Sequence, residues 1–109
     1  MGFFATLGSA PDINRAEELL AHTPGAKLVD VRTPEEYRSG HIKGSVSVPL
    51  DQLEDQIKGA VPCRDTPLYL YCRSGARSGR ALTVLKDMGY TNLTNLGGVM
   101  SWRGELERG

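Results

Sequence analysis

The sequence has no excess charge of either sign: thirteen Lys and Arg are matched by thirteen Asp and Glu, for a formal net charge of zero. No global field is available to draw in nucleic acid or an anionic membrane, so neither is expected as a partner and any charge effect must be local. No apolar run approaches the ~20 residues that a membrane span needs. The first residues, MGFFATLGSAPDI, lack the basic flank and the long apolar stretch of a secretory signal. They match the loose M-G-x-x-x-S/T myristoylation pattern, but no basic cluster supports it and no lipid anchor is expected. Only two cysteines are present, Cys63 and Cys72. A strand over 67–71 would hold them roughly 17 Å apart, whereas a disulfide needs Cα atoms within about 7 Å. No intramolecular disulfide is expected, and a reducing, cytoplasmic compartment is the simpler expectation. Two histidines and two cysteines without ligand-like spacing make no zinc site. Gly97-Gly98 lacks the surroundings of a nucleotide fingerprint and is expected to allow a tight turn, so no cofactor is implied.

What is present is one ordinary globular domain: 109 residues, 39% hydrophobic and 24% charged. Asn14 and Glu17 are spaced as a capping box for a helix through RAEELLAH, ended near Pro24-Gly25. KLVDV is a short, β-branched run that reads as a buried strand. Thr33, Pro34 and Glu36 are spaced to open a helix over PEEYRS, and Gly40 stands where it would stop. SVSVPL reads as a second strand, broken by Pro49. Leu53, Ile57 and Ala60 have helical spacing, PLYLYC is the clearest strand, and ARSGRALTVLKDMGY is the clearest helix. The inner stripe of that helix is Ala81, Leu82, Leu85 and Met88. NLTNL is one more strand, with a last helix expected to carry Trp102 as a core anchor. The alternation predicts an α/β fold with a central parallel sheet of four to five strands and helices on both faces. Residues 1–11 are expected to be an edge strand or partly disordered, and 12–109 form the domain.

In open α/β sheets ligands bind beyond the carboxyl ends of the strands. Cys72 ends the PLYLY strand, and Asp30 and Arg32 lie at the same end of KLVDV, so Cys72 is expected at a rim rather than in the core. The loop Arg73-Ser74-Gly75-Ala76-Arg77-Ser78 joins that strand to the helix. Short loops of small residues let successive backbone N–H groups turn inward as an anion nest, and the helix directs its positive dipole end there. Arg73, Arg77 and Arg80 add charge, and no acidic residue interrupts 66–86. The same features activate the sulfur. A free cysteine titrates near about 8.5, and making it largely thiolate at neutral pH needs about 2.7 kcal/mol of preferential stabilisation. A helix end supplies about 0.3–1 kcal/mol, or about 2 when partly buried. The inward N–H groups, with one or both nearby arginines, are expected to supply the rest. No histidine adjoins Cys72, so activation is electrostatic rather than by a Cys–His dyad.

Three segments in order, LVDVRTPEEYRSGHIKGSVSVPL, YLYCRSGARSGRALTVLKDMGY and NLGGVMSW, resemble the single-domain rhodanese (thiosulfate sulfurtransferase) family over about residues 12–104. The resemblance implies a rhodanese-like domain in which Cys72 is the sulfur-carrying nucleophile. Its thiolate attacks the outer sulfur of thiosulfate or a similar donor, sulfite leaves, and a persulfide is held by N–H groups of about 73–78. A cellular thiol, a protein thiol or cyanide then takes the sulfur. By motif position Arg73 and Arg77 bind the anionic donor, while Asp30 and Arg32 belong to a motif that is mainly structural. Lys43 and Ser47 depart from the family's usual proline and asparagine, outside the active loop.

A persulfide carrier serving a larger pathway would use the same loop and stays open as an alternative. A cysteine phosphatase or arsenate reductase fits less well, because its pattern is His-Cys, five residues, then Arg. Tyr71 precedes Cys72 here, and Arg77 arrives one residue early. A non-catalytic binding module typically lacks the cysteine. The expectation is a monomer, with His41 a hydrogen-bonded turn residue, His22 a helix-end surface residue and Cys63 a free thiol.

Overall fold

The runs KLVD and LYLYC carry the buried Leu28, Val29, Leu68, Leu70 and Tyr71, and they pair at the centre of the sheet. The computed structural model describes residues 12–109, so an edge strand before Asp12 lies outside the described residues. The elements run α1 (Ala16–His22), β1 (Lys27–Asp30), α2 (Pro34–Ser39), β2 (Ser45–Ser47), α3 (Leu53–Ala60), β3 (Leu68–Cys72), α4 (Ala76–Asp87) and β4 (Leu93–Gly98). Short 3-10 turns cover Ile13–Arg15, Leu50–Gln52 and Val99–Ser101. The four strands form one parallel sheet in the order β2-β1-β3-β4.

Because alternate strand residues face opposite sides, the sheet sorts its side chains into two cores. Val29 and Val31 meet Leu68, Leu70 and Cys72 on one face, covered by Leu53 and Ile57 of α3 and Ala81 and Leu85 of α4. Leu28, Tyr71 and Leu96 form the other face with Ile13, Ala16 and Ile42. Each fully buried aliphatic side chain contributes about 1.5–3 kcal/mol. The opposite face also carries the polar tie between β1 and its neighbours. Asp30, in register with Tyr71, receives both Arg32 Nε (3.0 Å) and Nη2 (2.6 Å). Arg32 Nη2 also donates to the Gly40 carbonyl at 2.7 Å. The Tyr71 hydroxyl accepts from the Ile42 N–H at 3.1 Å. Burial and the Asp30 carboxylate raise the Tyr71 phenol above its ordinary value, so it stays protonated. Among the described residues every buried side-chain nitrogen and oxygen has a hydrogen-bond partner.

Two expectations about the termini of elements are corrected. Asn14 does not cap the first helix. Arg15 stands at its N-cap without a side-chain cap bond; Asp12 caps the preceding 3-10 turn, accepting from the Asn14 N–H at 2.9 Å, and the Asn14 side chain reaches across to the Ser101 carbonyl and the Arg103 N–H. The Asn14 Oδ1 that a cap would offer to its own helix is taken by the Arg103 N–H. The last helix is also absent: β4 continues through Gly97-Gly98, only the 3-10 turn Val99–Ser101 follows, and Trp102 is extended. Trp102 packs half-buried against the second core from that extended segment.

The glycines extend β4 for a steric reason. Gly97 has φ +97, within a register shift that pairs Leu70 with Asn95 and Tyr71 with Gly97. Gly98 has no room for a side chain, since a Cβ there would collide with the Arg73 carbonyl oxygen and lie 2.5 Å from Ser74 Cα. The end of β4 therefore runs directly against the loop after Cys72. Gly98→Ala is expected to cost about 2–3 kcal/mol through this backbone clash, lowering Tm by roughly 10 °C or more. Gly59→Ala, in α3 with nothing within 4 Å of its Cβ, is expected to raise stability by about 0.5–1 kcal/mol. Thermal melts of the two variants check the contrast, and an unaffected Gly98→Ala melt would contradict it.

Candidate active site

Cys72 closes β3 on the face that α4 covers, and the chain turns immediately over it. Gly75 adopts φ +105 and ψ −10, a left-handed conformation that only glycine takes without strain. That turn brings the Gly75 N–H to 2.9 Å from Cys72 Sγ, to which it donates. Arg73, Ser74 and Ala76 are exposed around the turn, Arg77 is partly buried, and Ser78 is fully buried beneath it. The expectation of a rim position is corrected here: Cys72 is only 1% exposed, because the loop it starts folds back over it.

Burial pushes the Cys72 thiol up, since a thiolate is disfavoured in apolar surroundings. Hydrogen bonds from the Ser78 hydroxyl and from the Ser78, Gly75 and Ser74 amides outweigh burial, and the net effect is a thiol below its ordinary value. The stabilisation comes from the inward N–H groups more than from the arginines. Arg73 and Arg80 are exposed, and Arg77 is engaged elsewhere. Its Nη1 and Nη2 donate to Glu36 Oε1 and Oε2 at 2.7 and 3.0 Å.

Glu36 is the residue whose place at the site was not legible from spacing alone. The capping box it was expected to form is present: the Glu36 N–H donates to Thr33 Oγ1 at 3.2 Å and the Thr33 N–H donates to Glu36 Oε1 at 3.0 Å. The same carboxylate, fixed at the start of α2, then holds the loop arginine. Arg77 chiefly, with the Thr33 amide and against opposing burial, draws the Glu36 carboxyl down from 4.5 to about 2.

Asn95 was also missed. Its Oδ1 accepts from the Ser78 hydroxyl at 2.7 Å and from the Gly97 N–H at 2.9 Å, while Nδ2 donates to the Gly75 carbonyl at 3.2 Å. One side chain of β4 thus ties together the left-handed turn, the β4 irregularity and the serine below Cys72. Ser78 has a single hydroxyl proton and stands 3.4 Å from Cys72 Sγ. The Asn95 oxygen competes for that proton until a thiolate forms. A lone asparagine in a strand carries no sequence signal of this kind.

Asp30 and Arg32 sit at the correct end of the sheet but on the Tyr71 face, opposite Cys72, with Arg32 5.6 Å above the Tyr71 ring. They brace the β1 end and the Gly40 turn rather than the sulfur. His41 is hydrogen-bonded as expected, with Nδ1 2.9 Å from the Tyr37 carbonyl and its ring stacked on Tyr37 at 3.8 Å, but it sits in an antiparallel bridge with Glu107 rather than in a turn. Cys63 and Cys72 are both free thiols, Cys63 exposed.

Comparison with known proteins agrees with this architecture. Residues 13–105 match the family described as Rhodanese-like domain. The chain is 39% identical over 71 residues to thiosulfate sulfurtransferase PspE of Escherichia coli, covering 65% of this chain and 68% of that protein. It is 38% identical over 91 residues to a thiosulfate:glutathione sulfurtransferase of Saccharomyces cerevisiae, covering 73% and 66%. Among solved structures, an E. coli rhodanese with anions superposes with a TM-score of 0.72 at 34% identity, covering 77% of this chain and 99% of that one.

Two outcomes follow from the hydrogen bonds. Ser78→Ala removes a donor to the thiolate, a loss of about 1.5 kcal/mol, and should slow iodoacetamide alkylation of Cys72 near neutral pH by roughly tenfold. An unchanged alkylation rate would contradict the role of Ser78. The Glu36–Arg77 pair should stabilise the fold fully above the ordinary carboxyl value of 4.5 and lose that contribution as pH falls towards about 2. With both side chains 31% exposed, solvent screening reduces it to about 1 kcal/mol. The Tm of Glu36→Gln should lie below that of the unmodified chain at neutral pH, and the gap should close in acid; a constant gap would count against it.

Proposed function

The chain belongs to the rhodanese-like domain family, and from that membership we propose that it moves a sulfane sulfur from an anionic donor to a thiophilic acceptor through a persulfide on Cys72. The observation that carries this reading is the contact of the Gly75 N–H with Cys72 Sγ at 2.9 Å beneath the N-terminus of α4. It gives a thiol with lowered pKa and no histidine partner, which is what a sulfur nucleophile held by backbone dipoles requires.

In the proposed cycle the Cys72 thiol loses its proton to solvent and the thiolate attacks the outer sulfur of thiosulfate. A new S–S bond forms to Cys72, the S–S bond of the donor breaks, and its electron pair leaves with sulfite. The persulfide anion takes over the donors that surrounded the thiolate, the amides of Ser74, Gly75 and Ser78 and the Ser78 hydroxyl. A thiolate acceptor then attacks the terminal sulfur, carrying it off as a new persulfide and releasing the Cys72 thiolate. No base is needed once the acceptor is ionised. Thiosulfate as donor and a small thiol as acceptor are supported by the names of the E. coli and yeast relatives.

Burial separates this chemistry from phosphoryl transfer. A sulfur at the end of a donor is one exposed atom and can be passed to a nucleophile under a tight loop. A phosphoryl group must be cradled on its equatorial oxygens, and the loop from Cys72 to Arg77 leaves one residue fewer for doing so.

Intact-protein mass spectrometry after thiosulfate treatment should show one added sulfur atom, absent in Cys72→Ser along with thiocyanate formation from cyanide. Arg77→Ala should reduce donor use more than it reduces Tm. An unmodified Cys72 together with brisk hydrolysis of an aryl phosphate would overturn the assignment.

A further inference from the structure

Arg77, the side chain expected to attract an anionic donor, is already neutralised. Both of its terminal nitrogens are bonded to Glu36, whose carboxylate is itself anchored by the Thr33 N–H and hydroxyl. Glu36 is held in its ionised form far below neutral pH, so the pairing persists at every pH where the protein would work. A groove of about 210 Å³ opens beside this pair, with Val31, Pro49 and Leu50 as an apolar wall and Thr33, Asp51 and Arg77 at its edge. Cys72 is not among its lining residues, and the groove reaches the site through Val31 and Arg77. Val31 follows the Asp30–Tyr71 register pair, which places it next to Cys72 across the strand boundary, and both belong to one buried cluster.

These features disfavour an inorganic dianion. It would have to displace or share Arg77 against a fixed carboxylate, approach a second carboxylate at Asp51, and leave the apolar wall unused. A singly charged donor with a carbon body pays less for the carboxylates and covers Val31, Pro49 and Leu50. We propose that Glu36 is a specificity-determining residue of the Cys72 site, biasing it from inorganic dianions towards organic monoanionic sulfur donors whose apolar body lies in this groove. The inference rests on the sulfur-transfer reading. The reaction with such a donor, an organic thiosulfonate for example, has the same balance: the thiolate takes the outer sulfur, the donor S–S bond breaks, and the electron pair leaves with a sulfinate.

The test starts with sulfate, which binds without reacting. Its protection of Cys72 from iodoacetamide gives an affinity independent of turnover. Glu36→Gln keeps the shape of the side chain and its capping role. It should bind sulfate about three- to tenfold more tightly at low ionic strength, a gain that shrinks as salt rises and disappears in the Glu36→Gln/Arg77→Ala double variant. Single-turnover persulfidation should show benzenethiosulfonate used with a higher kcat/KM than methanethiosulfonate or thiosulfate in the unmodified chain. In Glu36→Gln the KM for thiosulfate should fall with little change in kcat. Sulfate binding that is equal or weaker in Glu36→Gln would overturn the proposal, the weaker result making Glu36 a residue that positions Arg77 for anions. No preference for the aromatic donor would overturn the role of the groove. Failure of every donor to add sulfur to Cys72 would instead sink the sulfur-transfer reading, while the sulfate measurement would still decide how Glu36 acts on anions.

Discussion

The turn that aims the Gly75 N–H at Cys72 Sγ is the constraint around which this end of the molecule is built, and its requirements reach well beyond the loop. Gly75 must be left-handed to make the contact. The Gly75 carbonyl, which accepts the Gly79 N–H at 3.0 Å as α4 begins, also receives Nδ2 of Asn95 at 3.2 Å. Asn95 can reach it only because β4 runs beside the loop, and β4 can run there only because Gly98 has no side chain to strike the Arg73 carbonyl. Sequence, backbone geometry and the state of the sulfur are thus linked through four residues.

Those links divide the chemistry between two mechanisms that short arginine-rich loops usually combine. Stabilisation of the thiolate falls to backbone amides and Ser78, which work at hydrogen-bond distance inside a buried site and are little affected by salt. In the proposed reaction, recognition of the donor would fall to charged side chains at the mouth, where a carboxylate from α2 balances Arg77. A cysteine buried to this degree, under donors that suit an anion, can hold a reactive sulfur while presenting little charge to solvent. The brace of Asp30 and Arg32 on the far face keeps the ends of β1 and β3 fixed relative to each other, which is how a motif distant from the sulfur serves the site.

Most of the framework was legible from spacing. The parallel α/β order followed from alternating strand and helix signals, and the Thr33–Glu36 capping box and the Cys72 position at a strand end both emerged with their reasons. The failures share a cause, which is that polar side chains take partners distant in sequence. Asn14 lies near the start of α1, yet its partners are Ser101 and Arg103. Glu36 reads as a helix cap and is also the partner of Arg77, forty-one positions away. The burial of Cys72 escaped notice because local spacing shows where a strand ends and says nothing about how far the next loop folds back.

The central claim is that backbone and serine donors, without a histidine base, hold Cys72 as a thiolate-prone nucleophile. Ultraviolet absorbance of the thiolate, followed against pH in a Cys63→Ser background and referenced to the Cys63→Ser/Cys72→Ser double variant, tests it directly. The account predicts a single inflection below the free-cysteine value of about 8.5, little moved by added salt. An inflection at or above that value, or one that shifts strongly with ionic strength, would show that burial or the arginines govern the sulfur instead.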